Sequence, residues 1–64
     1  MPRAGIKKAL ESGIISKRGD YYYMRKDGMP LCGDNQEPTF NIAAAFLNEP
    51  KNQELKFSIE AQLK

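Results

Sequence analysis

Four cations and three tyrosines fall within ten residues of this chain: Lys17, Arg18, Tyr21, Tyr22, Tyr23, Arg25 and Lys26. Fixed cations neutralise phosphates and release their counterions, and aromatic rings offer faces on which bases stack. A segment that interleaves the two has the chemistry of nucleic-acid contact. Lys7 and Lys8, upstream, add to the same positive field. The overall charge of +2 conceals this concentration. Residues 1–28 carry seven basic and three acidic side chains, a net +4, whereas residues 29–64 carry three basic and five acidic, a net −2. A positive end made to meet an anion is one meaning of that polarity, and an ordinary solvated surface is the other. The tyrosines likewise have a plain reading, since they suit strands.

Other chemistry is missing. The chain has no histidine, which removes imidazole acid–base catalysis and the common zinc patterns. Cys32 is the one thiol; with no histidine to activate it, it reads as a small, partly buried hydrophobe. There is no Gly-rich phosphate loop ending in Lys-Ser or Lys-Thr and no Gly-x-Ser-x-Gly elbow. Asp20, Asp27 and Asp34 are dispersed over turn and loop positions and make no acid–base or metal-binding pair. These absences predict a protein that is not an enzyme and uses no cofactor or metal. A lone thiol fits a reducing compartment. No apolar run approaches the roughly 18 residues of a membrane span, and no signal peptide is visible, so the expected place is the cytoplasm, away from membranes.

The elements that must position the basic and aromatic residues can be read in order. At 64 residues, 41% hydrophobic and 28% charged, the chain has room for one domain, residues 1–64, with one small core. A single cysteine makes no internal bridge, so packing alone must hold the fold. Residues 3–12 predict a helix: Pro2 suits its first turn, Ile6 and Leu10 stand four apart beside Ala9, and Gly13 falls just past its end. A β-rich block follows. Ile14-Ile15-Ser16-Lys17 forms a strand, Arg18-Gly19 a turn and residues 20–25 a second strand. Asp27-Gly28 then makes a hairpin turn with both central residues at positive φ. Met29-Pro30-Leu31-Cys32 is the third strand, and Pro30 restricts it to a sheet edge. Along the middle strand Tyr21, Tyr23 and Arg25 share one face, Tyr22 and Met24 the other, and one of these rows packs inward.

Residues 33–38 read as a loop. A helix over 39–47 follows, capped by Thr39, with Phe40, Ala43, Ala44 and Leu47 at helical spacing. Pro50 opens a last helix, where Leu55, Ile59 and Leu63 make a core stripe that Phe57 and Ala61 widen. The expected core draws on Ile6, Leu10, Ile15, one tyrosine face, Leu31, Phe40, Ala44, Leu47, Leu55, Ile59 and Leu63. The fold class is α+β: a short N-terminal helix, a three-stranded antiparallel meander and two C-terminal helices.

Two stretches resemble a known family. Leu10-Glu11-Ser12-Gly13-Ile14-Ile15-Ser16-Lys17-Arg18-Gly19-Asp20-Tyr21-Tyr22-Tyr23 looks like the start of the small C-terminal domain of bacterial RecA recombinases. Asn41-Ile42-Ala43-Ala44-Ala45-Phe46-Leu47-Asn48-Glu49-Pro50 resembles that domain's next helix, and the segment with Leu55, Ile59 and Leu63 is similar to the one after it. The resemblance covers residues 6–63 through short motifs. It implies an α+β domain whose basic surface gathers duplex DNA beside an ATPase core. Lys17 matches the basic residue before the glycine of the first turn, Arg18 stands beside it, and Tyr21 matches an aromatic of the following strand. Where the family has a Gly-x-Gly-basic step, this chain has Cys32-Gly33-Asp34-Asn35-Gln36-Glu37, so the family's second basic contact has no counterpart. The ATPase core has none either, so strand exchange is not expected of this chain by itself.

These readings converge on a non-catalytic DNA-binding or recombinase-accessory module. Lys17, Arg18, Arg25 and Lys26 would contact duplex phosphates, Tyr21, Tyr22 and Tyr23 would flank them, and Lys7 and Lys8 would add field; a larger recombinase or a host protein would be its partner. Two alternatives stand beside it. Three short strands and a helix also describe the arm-type DNA-binding domain of tyrosine integrases, whose sheet reads bases in the major groove. A small phage- or plasmid-type regulator docking on a host protein would use the acidic half or the exposed tyrosines.

Overall fold

The structure, a computed structural model, describes residues 3–63, so Pro2 lies outside the described residues. Helix α1 (Arg3–Glu11) leads into a hairpin of β1 (Ile15–Arg18) and β2 (Tyr21–Met24). A long connection reaches α2 (Phe40–Asn48), and a 3₁₀ turn (Pro50–Asn52) links it to α3 (Gln53–Gln62). The class is α+β with helices flanking a small antiparallel sheet.

Helix α1 ends as its glycine predicts. Gly13 takes φ +79°; its N–H donates to the Leu10 carbonyl (3.2 Å), and the Ile14 N–H donates to that of Ala9 (2.9 Å). This pair of bonds is a Schellman closure, and it turns the chain directly into β1. Ile6 and Ala9 are fully buried, while Lys7 and Lys8 on the opposite face are exposed.

The sheet has two strands, not three. β1 and β2 pair in antiparallel register, Ile15 against Met24 and Arg18 against Tyr21. The expected third strand is reduced to one bridge between Tyr23 and Pro30. The hydrogen bonds explain the loss. A continuing ladder would need two bonds at each of the pairs Met24–Met29 and Tyr22–Leu31. Only one forms in each: Met24 N–H to the Met29 carbonyl (2.8 Å), and Leu31 N–H to that of Tyr22 (3.1 Å). The others are diverted. Met29 N–H donates to the Asp27 side chain (3.0 Å), Gly28 N–H takes the Met24 carbonyl (2.7 Å), and Tyr22 N–H turns to Pro38 (2.8 Å). Pro30 does sit on the outer edge, where its missing N–H removes a donor that a further strand would need.

Both turns differ from expectation. The β1–β2 turn is Gly19 and Asp20, one residue later than Arg18-Gly19; Gly19 has φ +59° and Asp20 does not share it, the type II′ combination. After β2, only Gly28 (φ +72°) has positive φ, not Asp27, so the chain turns through a four-residue loop, 25–28. In the connection to α2, Gln36 folds the loop back on itself. Its side-chain oxygen accepts from Gly33 N–H (3.0 Å), and its carbonyl accepts from the Cys32 thiol (3.2 Å).

Thr39 holds the N-cap position of α2 with extended backbone, but its hydroxyl makes no capping bond. Pro50 opens the 3₁₀ turn rather than an α-helix, and Asn52 ties this corner by donating to the Phe46 carbonyl (2.8 Å) and to Glu49 (3.2 Å). The core is Ile6, Ala9, Ile15, Tyr22, Met24, Leu31, Ala43, Leu47 and Ile59, with Leu10, Phe40, Ala44, Leu55 and Leu63 packed half-buried around it. Phe57 and Ala61 face solvent instead of widening the α3 stripe. Among the described residues no polar or charged side chain is buried.

Candidate nucleic-acid interface

The pleat of the hairpin sorts the candidate residues. In the β1–β2 register Ile15, Lys17, Tyr22 and Met24 share the inner face, and Ser16, Arg18, Tyr21 and Tyr23 the outer one. Ile15, Tyr22 and Met24 lie in the core beneath α1 and α2. Tyr22 is therefore a core residue: it is 9% exposed, and its ring meets Phe40 edge-on at 5.7 Å and 71°. It offers no open face to a base, and so drops out of the expected contact set. Lys17 lies at the rim of the inner face, exposed, with its ammonium 6.0 Å from the Tyr22 ring centre.

Tyr21 and Tyr23 are half-buried on the outer face. Tyr21 is engaged: its hydroxyl donates to the Glu37 carboxylate, which raises the phenol pKa above its ordinary value, with slight desolvation and nearby negative charge acting in the same direction. The acidic loop thus brings a carboxylate to that end of the face. Tyr23 stands between Ser16 on β1 and Pro30 across the bridge.

At the Tyr23 end, Ser16, Lys17, Arg18, Tyr23, Arg25 and Gly28 line a shallow open depression of about 420 Å³. Lys17, Arg18 and Arg25 all contribute to this lining, with the Lys17 ammonium reaching toward the Tyr22 ring and the Arg25 guanidinium toward Gly13. Lys26 does not join them. The four-residue loop carries it to a second depression of about 310 Å³, lined also by Ser12, Gly13, Ile14 and Gln62. Arg25 borders both. Its guanidinium also lies against the backbone of Gly13, so close that a Cβ there would stand 2.9 Å from Nη1. A cation at this place favours the carbonyl end of α1, which gives Arg25 a structural use as well. Lys7 and Lys8 are exposed on α1 and line neither depression.

The electrostatics favour an anion at the first depression. Among the described residues the one ion pair is Lys51–Glu49 (3.6 Å), so Lys17, Arg18 and Arg25 have no carboxylate partner there. Long cationic side chains bordering a hydroxyl and a tyrosine can reach phosphate oxygens and hold them by charge-assisted hydrogen bonds. Ser16 was absent from the sequence-based set; the expected Arg18-Gly19 turn would have set it opposite Tyr21, and the observed Gly19-Asp20 turn sets it opposite Tyr23. No three His, Cys, Asp or Glu residues group as a metal site among the described residues, and no helix there is long and apolar enough to cross a membrane. No family model matches the chain, and neither the curated proteins nor the solved structures contain a match to it.

Proposed function

We propose that the chain is a non-catalytic module that binds duplex DNA through the Lys17–Arg18–Arg25 depression, as an accessory to a larger recombination protein. The observation that carries this reading is one open depression lined by Lys17, Arg18 and Arg25, none of them ion-paired, together with Ser16 and Tyr23. The resemblance to the RecA C-terminal domain supports duplex DNA as the partner, since Lys17 matches its basic residue before the glycine of the first turn, with Arg18 beside it. The integrase-type reading draws on a three-stranded sheet, and here the sheet has two strands; phosphate contact is therefore preferred to base readout.

Three phosphates neutralised give a log–log salt slope of about −2.7. Raising salt from about 50 to about 200 mM then weakens binding about 40-fold. Fluorescence anisotropy of a labelled mixed-sequence duplex at the two salts tests this. No binding at the lower salt overturns it. A second reading, a regulator that docks on a host protein, is favoured by Phe57, which is 55% exposed on α3. That reading requires a purified host partner whose binding is lost on Phe57→Ser and kept on Lys17→Gln.

A further inference from the structure

We infer that the same depression is built to take an unpaired nucleotide of DNA, with Tyr23 as the stacking platform and Lys17, Arg18 and Arg25 on the flanking phosphates. This rests on the phosphate reading above and sharpens its substrate. In a duplex the base faces are occupied by neighbouring bases, so an aromatic ring among the cations gains little from duplex phosphates. An unpaired base presents a free face, and base–aromatic stacking adds to phosphate contact without requiring a particular sequence.

Three observations select Tyr23. Tyr22 is closed off in the core against Phe40. Tyr21 is bound to Glu37, whose negative charge opposes a phosphate. Tyr23 lines the cationic depression and is braced laterally by Ser16 and Pro30, which limits the entropy lost when a base settles on it. At about 420 Å³ the depression is small. That lies at the lower end of ligand-site volumes, about 300–1,000 Å³, and suits one nucleotide unit rather than a length of rigid helix.

The experiment compares a short oligodeoxythymidine with a mixed-sequence duplex, both labelled, by anisotropy at low salt. Wild-type protein is set against Tyr23→Ala, Tyr23→Leu and Tyr23→Phe, each confirmed as folded by circular dichroism. Tyr23→Ala and Tyr23→Leu are expected to weaken oligodeoxythymidine binding by about 10-fold. Duplex binding should change by less than about twofold, and Tyr23→Phe, which keeps the ring, should leave both affinities within about twofold. Tyr23→Leu keeps bulk without the π-face, so it remains informative if the alanine variant unfolds. Equal losses on both probes, or no loss on either, overturn this inference while leaving the phosphate reading intact. Absence of binding to both probes in the wild type overturns the two together.

Discussion

The hairpin places adjacent tyrosines in opposite environments, and replacing them one at a time should separate packing from surface. Tyr22 is 9% exposed and stacks edge-on with Phe40. Truncating a buried aromatic to alanine costs about 3–5 kcal/mol through lost transfer energy and the cavity left behind. At about 0.05–0.15 kcal/mol per residue, the 64 residues carry a total stability of about 3–10 kcal/mol. Tyr22→Ala therefore removes a large part of it. With about 4–8 °C lost per kcal/mol in a domain of this size, the melting temperature should fall by at least about 12 °C. Tyr23 is half-buried on the outer face, where cross-strand contacts to Ser16 and Pro30 are worth at most about 1 kcal/mol. Thermal and urea unfolding followed by circular dichroism measures both. Tyr22→Phe keeps the ring on Phe40 and serves as the control, with a loss under about 1 kcal/mol. If Tyr23→Ala costs as much as Tyr22→Ala, the assignment of inner and outer faces is wrong.

Gly13→Ala should destabilise by about 1–2 kcal/mol, read from urea midpoints, because φ +79° is unfavourable for any residue with a Cβ. The close Arg25 tip adds little, since a flexible side chain can move aside. Asn52→Ala should cost about 1 kcal/mol by removing the side-chain bond to the part-buried Phe46 carbonyl, which keeps only its bond from the Glu49 N–H, measured in the same way. Glu37→Ala should bring the Tyr21 phenol down toward its ordinary pKa, visible as an earlier absorbance transition in alkaline titration. The corresponding stability change has a definite sign. Because the folded pKa is raised, the contribution is complete below the unfolded value of about 10 and is lost as pH climbs through the folded value. The wild-type advantage over Glu37→Ala attributable to Tyr21 should shrink in that alkaline window alone.

Local signals were legible and non-local ones were not. Gly13 ends α1 as a glycine past an apolar helix should, Pro30 lies at the edge, and the two tyrosine rows follow from strand alternation. Which row faces inward depends on what packs beneath the sheet, which α1 and α2 decide. The third strand disappears because the Asp27 side chain and the Pro38 carbonyl capture its bonding groups. Neither competitor is visible in periodicity. The same four-residue loop carries Lys26 to a second depression that Arg25 also borders, so the four neighbouring cations in sequence do not line one surface in space. Phe57 sits in an apolar-looking stretch yet faces water, because α3 packs mainly on α2 and the 3₁₀ corner and buries a narrow stripe formed by Leu55, Ile59 and Leu63.

The most direct measurement of the central claim is the salt slope of duplex binding for wild type, Lys17→Gln/Arg18→Gln and Lys51→Gln. Each phosphate contact contributes about −0.9 to the slope, so the double variant should move it from about −2.7 to about −0.9. Lys51, paired with Glu49 away from the depression, should leave it unchanged when replaced. A double variant with the wild-type slope, or equal effects from Lys51→Gln, would contradict the assignment of phosphate binding to this hairpin.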